Sequence, residues 1–264
     1  MRYMVMSGTS DSTKVIKFLR EDKNNYILAT TVTDYGSEIA KSAGADEVIS
    51  KALKEEDFIN VIKEKNIDTL IDATHPFAAV ATETAIESCE KARINYIRYE
   101  RASTILPDSD LIYKVPSFSK GALKAKELLK EKNDKLMHLA GVMTLHEIVK
   151  EVNPQQVIAR VLPNTFSITK TQKNGIPAEN IIAMQGTFSK EFNISLMKEY
   201  SVSAIITKES GESGGAEEKI NAALELNIPV ILVTRPIVKK LENHTIVRSI
   251  YELKKKYLKT FFLN

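Results

Sequence analysis

Short apolar runs rich in β-branched residues alternate with longer stretches of helical period along almost the whole 264-residue chain, which leaves few folds open. A strand, a helix and a further strand in that rhythm pack best as a parallel pair with a right-handed crossover, so the chain is predicted to be α/β with parallel sheets. Strands are expected near Tyr3 to Met6, Tyr26 to Thr33, Glu47 to Ile49, Thr69 to Asp72 and Asn95 to Tyr99. Helices are expected between them, near Thr13 to Arg20, Ser37 to Ala43, Glu55 to Glu64 and Phe77 to Ala92, the third with Phe58, Ile59 and Ile62 on one face. Residues 102–110, Ala-Ser-Thr-Ile-Leu-Pro-Asp-Ser-Asp, interrupt the alternation with the residue types of a joint. A second series follows, with strands near Leu111 to Val115, Leu136 to Ala140, Val157 to Val161, Ile181 to Met184, Ala204 to Thr207 and Val230 to Thr234. The expectation is therefore two doubly wound parallel-sheet lobes, an N-terminal domain over 1–102 and a C-terminal domain over 110–264. Ligands are expected in the interdomain cleft, at strand C-termini.

Charge and composition exclude several functions. Thirty-seven Lys and Arg against 34 Asp and Glu leave 37 − 34 = +3, mostly from lysine, and no basic run is interleaved with aromatics as nucleic-acid grooves require. The run Lys254-Lys255-Lys256 falls in an amphipathic stretch and reads as a solvated helix face. No segment approaches the ~20 apolar residues of a membrane span, and the run from Tyr3 to Met6 is too short for a signal-peptide core, so a cytoplasmic protein is expected. A single cysteine, Cys89, and four histidines (His75, His138, His146, His244) never stand at zinc-ligand spacing, so no protein-bound metal is expected.

Candidate chemistry clusters where strands end. Ser7-Gly8-Thr9-Ser10-Asp11-Ser12-Thr13 joins the first strand to the first helix, where a glycine permits a tight turn and helix N-terminal amides suit a phosphate. Asp11 opposes a diphosphate unless it serves as the helix cap, and an ordinary capped turn explains the segment equally well. Thr30-Thr31-Val32-Thr33-Asp34-Tyr35-Gly36 ends the second strand, the place where such folds read an adenosine ribose. Asp34 there leans toward an unphosphorylated ribose, Thr31 and Thr33 accommodate a phosphate, and Asp34 alternatively opens a turn completed by Gly36. Asp72-Ala73-Thr74-His75-Pro76-Phe77 offers His75 as a weak acid/base candidate, with Pro76 suited to the first helical position; Asp72 is either functional or a strand-end acid satisfying loop amides. Gln185-Gly186-Thr187-Phe188-Ser189 and Thr207-Lys208-Glu209-Ser210-Gly211-Glu212-Ser213-Gly214-Gly215 follow strands of the second series, the latter fit for an anion. Arg98, Arg101, Arg160 and Arg235 stand at or just past strand ends, as carboxylate ligands or as surface ion-pair partners.

Taken together, these segments resemble the precorrin-6A reductase family of cobalamin biosynthesis, with its cobalt-precorrin-6A branch. The likeness rests on Gly8-Thr9-Ser10, Thr33 to Gly36, Asp72 to Ala78, Tyr99-Glu100-Arg101, Gln185 to Ser189, Thr207 to Gly211 with Gly214-Gly215, and Val233-Thr234-Arg235-Pro236. Departures are Ser7 where the family usually has a second glycine, Thr187 where proline is usual, and Ala102 where proline often follows the arginine. The resemblance implies two Rossmann-like lobes and hydride transfer from NADPH or NADH to a conjugated double bond of a contracted, polycarboxylate tetrapyrrole, with or without cobalt. It implies a diphosphate at Gly8, Thr9 and Ser10, a ribose near Thr31, Thr33, Asp34, Tyr35 and Gly36, and a nicotinamide toward Thr74 and His75. Substrate carboxylates would fall to Lys208, Ser210, Gly211, Gly214, Gly215 and Arg101. The cofactor performs the redox step, so the protein contributes placement rather than a nucleophile. Two rival classes are a non-catalytic nucleotide- or metabolite-binding regulator and a short-chain reductase or epimerase. For the latter, Tyr96, Tyr99 and Tyr113 have no lysine four residues on.

Overall fold

The computed structural model describes residues 1–102, 106–209 and 215–261, with side chains to 256. The chain divides into two compact units, residues 1–102 with 237–264, and residues 103–236.

The first unit begins with five strands separated by four helices. The strands are β1 (Arg2–Met6), β2 (Tyr26–Thr31), β3 (Glu47–Ser50), β4 (Thr69–Asp72) and β5 (Asn95–Tyr99). The helices are α1 (Ser10–Leu19), α2 (Asp34–Ala43), α3 (Glu55–Glu64) and α4 (Ala79–Ala92). The strands pair in parallel and their central members are buried on both faces, which is why they read as unbroken apolar runs rather than alternating ones. One face packs on Phe58, Ile62, Ala85 and Ile86 of α3 and α4. The other packs on Val15, Ile16, Leu19 and Ala40 of α1 and α2.

The second unit carries β6 (Ile112–Val115), β7 (Leu136–His138), β8 (Val157–Val161), β9 (Ile181–Ala183), β10 (Ala204–Lys208) and β11 (Val230–Val233). Between them lie α5 (Phe118–Leu128), α6 (Leu145–Ile148), α7 (Thr165–Lys173), α8 (Lys190–Glu199) and α9 (Ala216–Glu225). The parallel sheet has the order β6-β11-β10-β7-β8-β9, so the order of winding reverses between β10 and β7. Met197 of α8 and Ile220 of α9 bury against Ile158, Ile182 and Ile205 of the sheet.

The end of the chain departs from the expected 110–264 domain. After Pro236 it returns to the first unit, where β12 (Thr245–Val247) pairs in parallel with β5, Thr245 opposite Ile97 and Val247 opposite Tyr99. α10 (Ile250–Phe261) follows, and Val247 and Leu253 bury in the first unit's core. The cause is the open edge of β5: a sixth strand satisfies its backbone groups and carries an apolar helix face onto the sheet. The completed order, β12-β5-β4-β1-β2-β3, is that of the Rossmann dinucleotide fold.

Three local expectations are also corrected. α1 starts at Ser10 rather than Thr13, because Thr9 caps it by accepting from the Ser12 amide at 3.1 Å. Asp34, Tyr35 and Gly36 are no turn but the first turn of α2, capped by Thr33, whose Oγ1 accepts from the Gly36 amide at 3.1 Å. α4 starts at Ala79, past Pro76, because the Ala78 amide closes a turn on the His75 carbonyl.

Candidate functional site

The reversal of strand order in the first unit falls between β1 and β4, and the crevice there is formed by the loops that follow these two strands. Gly8 turns out of β1 at φ +118°, and a Cβ built there meets no atom within 4 Å. Only glycine takes that backbone at low cost, and the space beside it is open. Ser7 donates its amide to the Thr30 carbonyl at 2.8 Å, tying the turn to β2. The Thr9 hydroxyl donates to the Ala73 carbonyl at 2.7 Å, tying it to the end of β4. The Gly8 and Thr9 amides lie 3.2 and 3.3 Å from Ser12 Oγ, so the turn is held from within the helix it opens.

A cavity of about 280 Å³ opens over this turn, lined among others by Ser7, Gly8, Thr31, Val32, Lys51, Thr74 and His75. Gly8, Thr31, Thr74 and His75 from the sequence expectation are thus brought together, on three different strand ends. Thr9 and Ser10 stand beside them as the cap and first residue of α1. Thr33, Asp34, Tyr35 and Gly36 begin α2 next to it without lining the cavity. Gly36 sits in close packing, since a Cβ there falls 3.0 Å from Thr33 Oγ1 and 3.3 Å from Thr31 Cβ and would push on both side chains. Lys51, not singled out from the sequence, lines the cavity and pairs with Asp57 at 3.4 Å.

Asp72 proves to be the strand-end acid that satisfies a loop. It is fully buried and accepts from the Thr74 amide (2.9 Å) and hydroxyl (2.6 Å), Thr82 (2.7 Å) and Tyr96 (2.9 Å). Arg98 stands 2.8 Å from Asp72 and 2.7 Å from Glu100. Burial alone would lower the Arg98 pKa, but the two carboxylates outweigh it and hold the guanidinium above its ordinary value. The Thr74 hydroxyl accepts from Arg98 at 3.0 Å, so this network fixes the cavity wall at Thr74. His75 Nδ1 accepts from the Phe77 amide at 3.2 Å, which in the neutral ring leaves the proton on Nε2. Cys89 is buried, and burial, then the Asp72 charge, push its thiol up to about 12.

Asp11 is not the cap of α1. Its Oδ2 accepts from Arg101 Nε at 2.6 Å, which offsets the acid that would otherwise oppose a diphosphate, and engages Arg101 in the first unit. In the second unit Lys208 ends β10, and Gly215 caps α9 at φ +57°. Ser210, Gly211 and Gly214 lie outside the described residues. A Cβ on Gly215 would fall 3.5 Å from Thr187 Cγ2, so the loop after β9 packs at the start of α9. His138, the last residue of β7, is fully buried, bonds Thr144 at 2.9 Å, and is driven down to about 3 by burial and then by the Lys208 charge. One Tyr-x-x-x-Lys pair does exist, Tyr251 and Lys255, but both are exposed on α10 and neither lines the cavity. Among the described residues no group of three His, Cys, Asp or Glu could hold a metal, and no helix is long and apolar enough to cross a membrane.

The sheet order, the glycine turn at its reversal and the cavity above it define a Rossmann-type dinucleotide-binding protein extended by a second parallel-sheet unit. Residues 2–256 match the family model described as Precorrin-6x reductase CbiJ/CobK. The cobalt-precorrin-6A reductase of Methanothermobacter thermautotrophicus is 42% identical over 259 residues, 98% of this chain and 84% of that protein. The protein of the same name from Priestia megaterium is 34% identical, over 95% of each chain. A solved CobK precorrin-6A reductase shares the fold, with TM-score 0.75 at 18% identity over 98% of this chain and 97% of that one. The chain belongs to the precorrin-6x reductase family, and is an oxidoreductase of cobalamin biosynthesis.

Proposed function

We propose that this chain reduces cobalt-precorrin-6A to cobalt-precorrin-6B in the cytosol with NADH as the preferred donor. The observation that carries the reading is the cavity over Gly8, Thr31, Thr74 and His75 at the sheet's reversal, with an open glycine turn in its lining that leads directly into α1. These residues fit a dinucleotide: the Gly8 turn admits a diphosphate against α1, where the helix dipole favours negative charge. Arg101 offsets Asp11, so the acid in the first turn does not repel it. Thr74, locked by Asp72 and Arg98, gives the nicotinamide end a fixed wall, and His75, its ring oriented by the Phe77 amide, lines the cavity beside it.

Three features favour NADH. Asp34 opens α2 just past β2, where a 2′-phosphate would stand, the Thr31 hydroxyl is engaged by Ser37 at 2.8 Å, and the cavity's lysine, Lys51, already faces Asp57. Cobalt-precorrin-6A is favoured because the relatives above 30% identity carry that name. The bound nicotinamide supplies a hydride, and with one solvent proton this completes the two-electron reduction of the macrocycle's double bond. Lys208 and Gly215, with Ser210, Gly211 and Gly214, are proposed to meet substrate carboxylates.

An anaerobic incubation with precorrin-6A, with and without cobalt, under each nicotinamide in turn tests the proposal. Loss of reduced-nicotinamide absorbance that depends on the cobalt substrate and is faster with NADH is expected. Tight nicotinamide binding without oxidation would make the chain a non-catalytic binder instead.

A further inference from the structure

The four strand-end arginines separate sharply once their partners are known. Arg98 has Asp72 and Glu100, and Arg101 has Asp11. Arg235 has Glu209, through its backbone amide at 2.9 Å and its Nε at 3.9 Å. Arg160 differs: Nη1 donates to Asn193 Oδ1 at 3.0 Å, and the guanidinium carbon stands 5.2 Å over the Phe188 ring. Neither partner carries charge, yet Arg160 is only 9% exposed. Taking a guanidinium out of water without an anion is expensive.

Its surroundings sharpen the cost. Arg160 is the fourth residue of β8 and shares a sheet face with Ile158, the face covered by α8 and α9. Lys219 lies on α9, and burial, then the charges of Arg160 and Lys208, push it down to about 8. Lys219 therefore feels the charges of Arg160 and Lys208, the latter at the C-terminal end of β10. Asn193 also donates to the carbonyls of Phe188 (3.1 Å) and Ser189 (2.7 Å), so one buried amide fixes both the guanidinium and the loop beside it. That loop is exposed at Gln185, Gly186 and Thr187, which gives a ligand an approach.

We infer that Arg160, with Lys219 beside it, is a carboxylate anchor that receives an acetate or propionate group of the tetrapyrrole substrate, its guanidinium plane set by Asn193 and Phe188. This deepens the reductase reading and rests on it. A planar guanidinium held on two sides is pre-ordered for bidentate pairing with a carboxylate.

The test compares wild type with Arg160→Met, Arg160→Lys and Lys219→Met. KM for cobalt-precorrin-6A should rise at least roughly 30-fold in Arg160→Met. Arg160→Lys should recover part of that loss, and Lys219→Met should show a smaller rise. Nicotinamide affinity should stay unchanged in all three, and the ligand-free Tm of Arg160→Met should equal or exceed that of wild type. A second readout needs no turnover: uroporphyrin, an eight-carboxylate tetrapyrrole, should be bound by wild type with fluorescence quenching and released by salt, and bound more weakly by Arg160→Met. An unchanged KM in Arg160→Met and Lys219→Met, with wild type turning over normally, would sink this inference alone. A fall in Tm with KM intact would make Arg160 structural, and a wild type that neither oxidises nicotinamide nor binds uroporphyrin would overturn the reductase reading as well.

Discussion

Replacing Gly8 by valine puts the cofactor assignment at risk in a way that can be sized from the structure. The backbone at Gly8 has φ +118°, outside the regions an L-residue occupies, while a Cβ there touches nothing within 4 Å. The cost is therefore conformational rather than a clash, on the order of 1–3 kcal/mol. If the turn keeps its shape, that cost is lost from stability, and the side chain stands in the open space beside the turn. If the turn relaxes, the Gly8 and Thr9 amides leave Ser12 Oγ and no longer face the helix N-terminus as a set.

Either route weakens dinucleotide binding, since each hydrogen bond to a charged group is worth about 1.5–3 kcal/mol and each 1.4 kcal/mol is tenfold in Kd. One such bond lost implies a Kd for NADH raised roughly 10- to 150-fold. Nicotinamide fluorescence titration well below the variant's Tm measures it on folded protein, with circular dichroism melting alongside. A Kd within about twofold of wild type would refute the placement of the diphosphate at this turn, whatever the Tm.

Other consequences are equally direct. Asp34→Ser should lower the preference for NADH over NADPH in kcat/KM by about tenfold, read from initial rates with each donor. Arg98→Met leaves the fully buried Asp72 without its guanidinium and should cost roughly 3–5 kcal/mol, measured by urea denaturation. His138 is held neutral with its pKa down to about 3, so between pH 6.5 and 3 the unfolded chain binds a proton that the folded chain refuses. Stability should fall as pH drops through that window, by up to about 1.4 kcal/mol per pH unit from this group, and the fall should be shallower in His138→Gln. Truncation after Pro236 keeps every proposed nicotinamide contact but removes β12, Val247 and Leu253 from the first unit, and should abolish NADH binding.

Most of the architecture was legible because buried parallel strands leave continuous apolar runs, and the helices between them carry a clear amphipathic period. The exception is β12. Thr245, Ile246 and Val247 are only three residues, and nothing local in them distinguishes a lone turn-flanked triplet from a sheet-completing strand. Their pairing partner, β5, lies about 150 residues earlier. At the site, the tight turn at Gly8 was legible because a glycine between a strand and a helix permits one. The alternative of a turn completed by Gly36 fails because that residue lies in the first turn of α2, and its close approach to Thr31 and Thr33 is a tertiary fact. The roles of Asp72 and Asp11 depended on which arginine reached them, and no spacing rule specifies that. Lys219 carried no signal at all: a lysine four residues into a helix reads as solvated until the helix is seen to press it toward two other cations.

Arg160 handles charge in the opposite way to Arg98 and Arg101, and the contrast explains why strand-end arginines cannot be read alike. In the first unit both strand-end arginines have their acids in place, the buried Arg98 with Asp72 and Glu100 and the half-buried Arg101 with Asp11, and the Arg98 network stiffens the cavity wall at Thr74. A dinucleotide bound there as proposed would meet a nearly balanced field and be held by backbone amides, a helix dipole and shape. In the second unit Arg160 has an amide and a ring where an acid would balance it, and Lys219 is pressed toward it. Balanced charge suits a cofactor that must bind and leave each turnover. An uncompensated, desolvated cation suits a ligand that brings its own negative charge, because the free energy withheld on folding is returned when the carboxylate arrives. A substrate ringed by acetates and propionates satisfies that condition, whereas a neutral metabolite of the same size would leave Arg160 as costly as before.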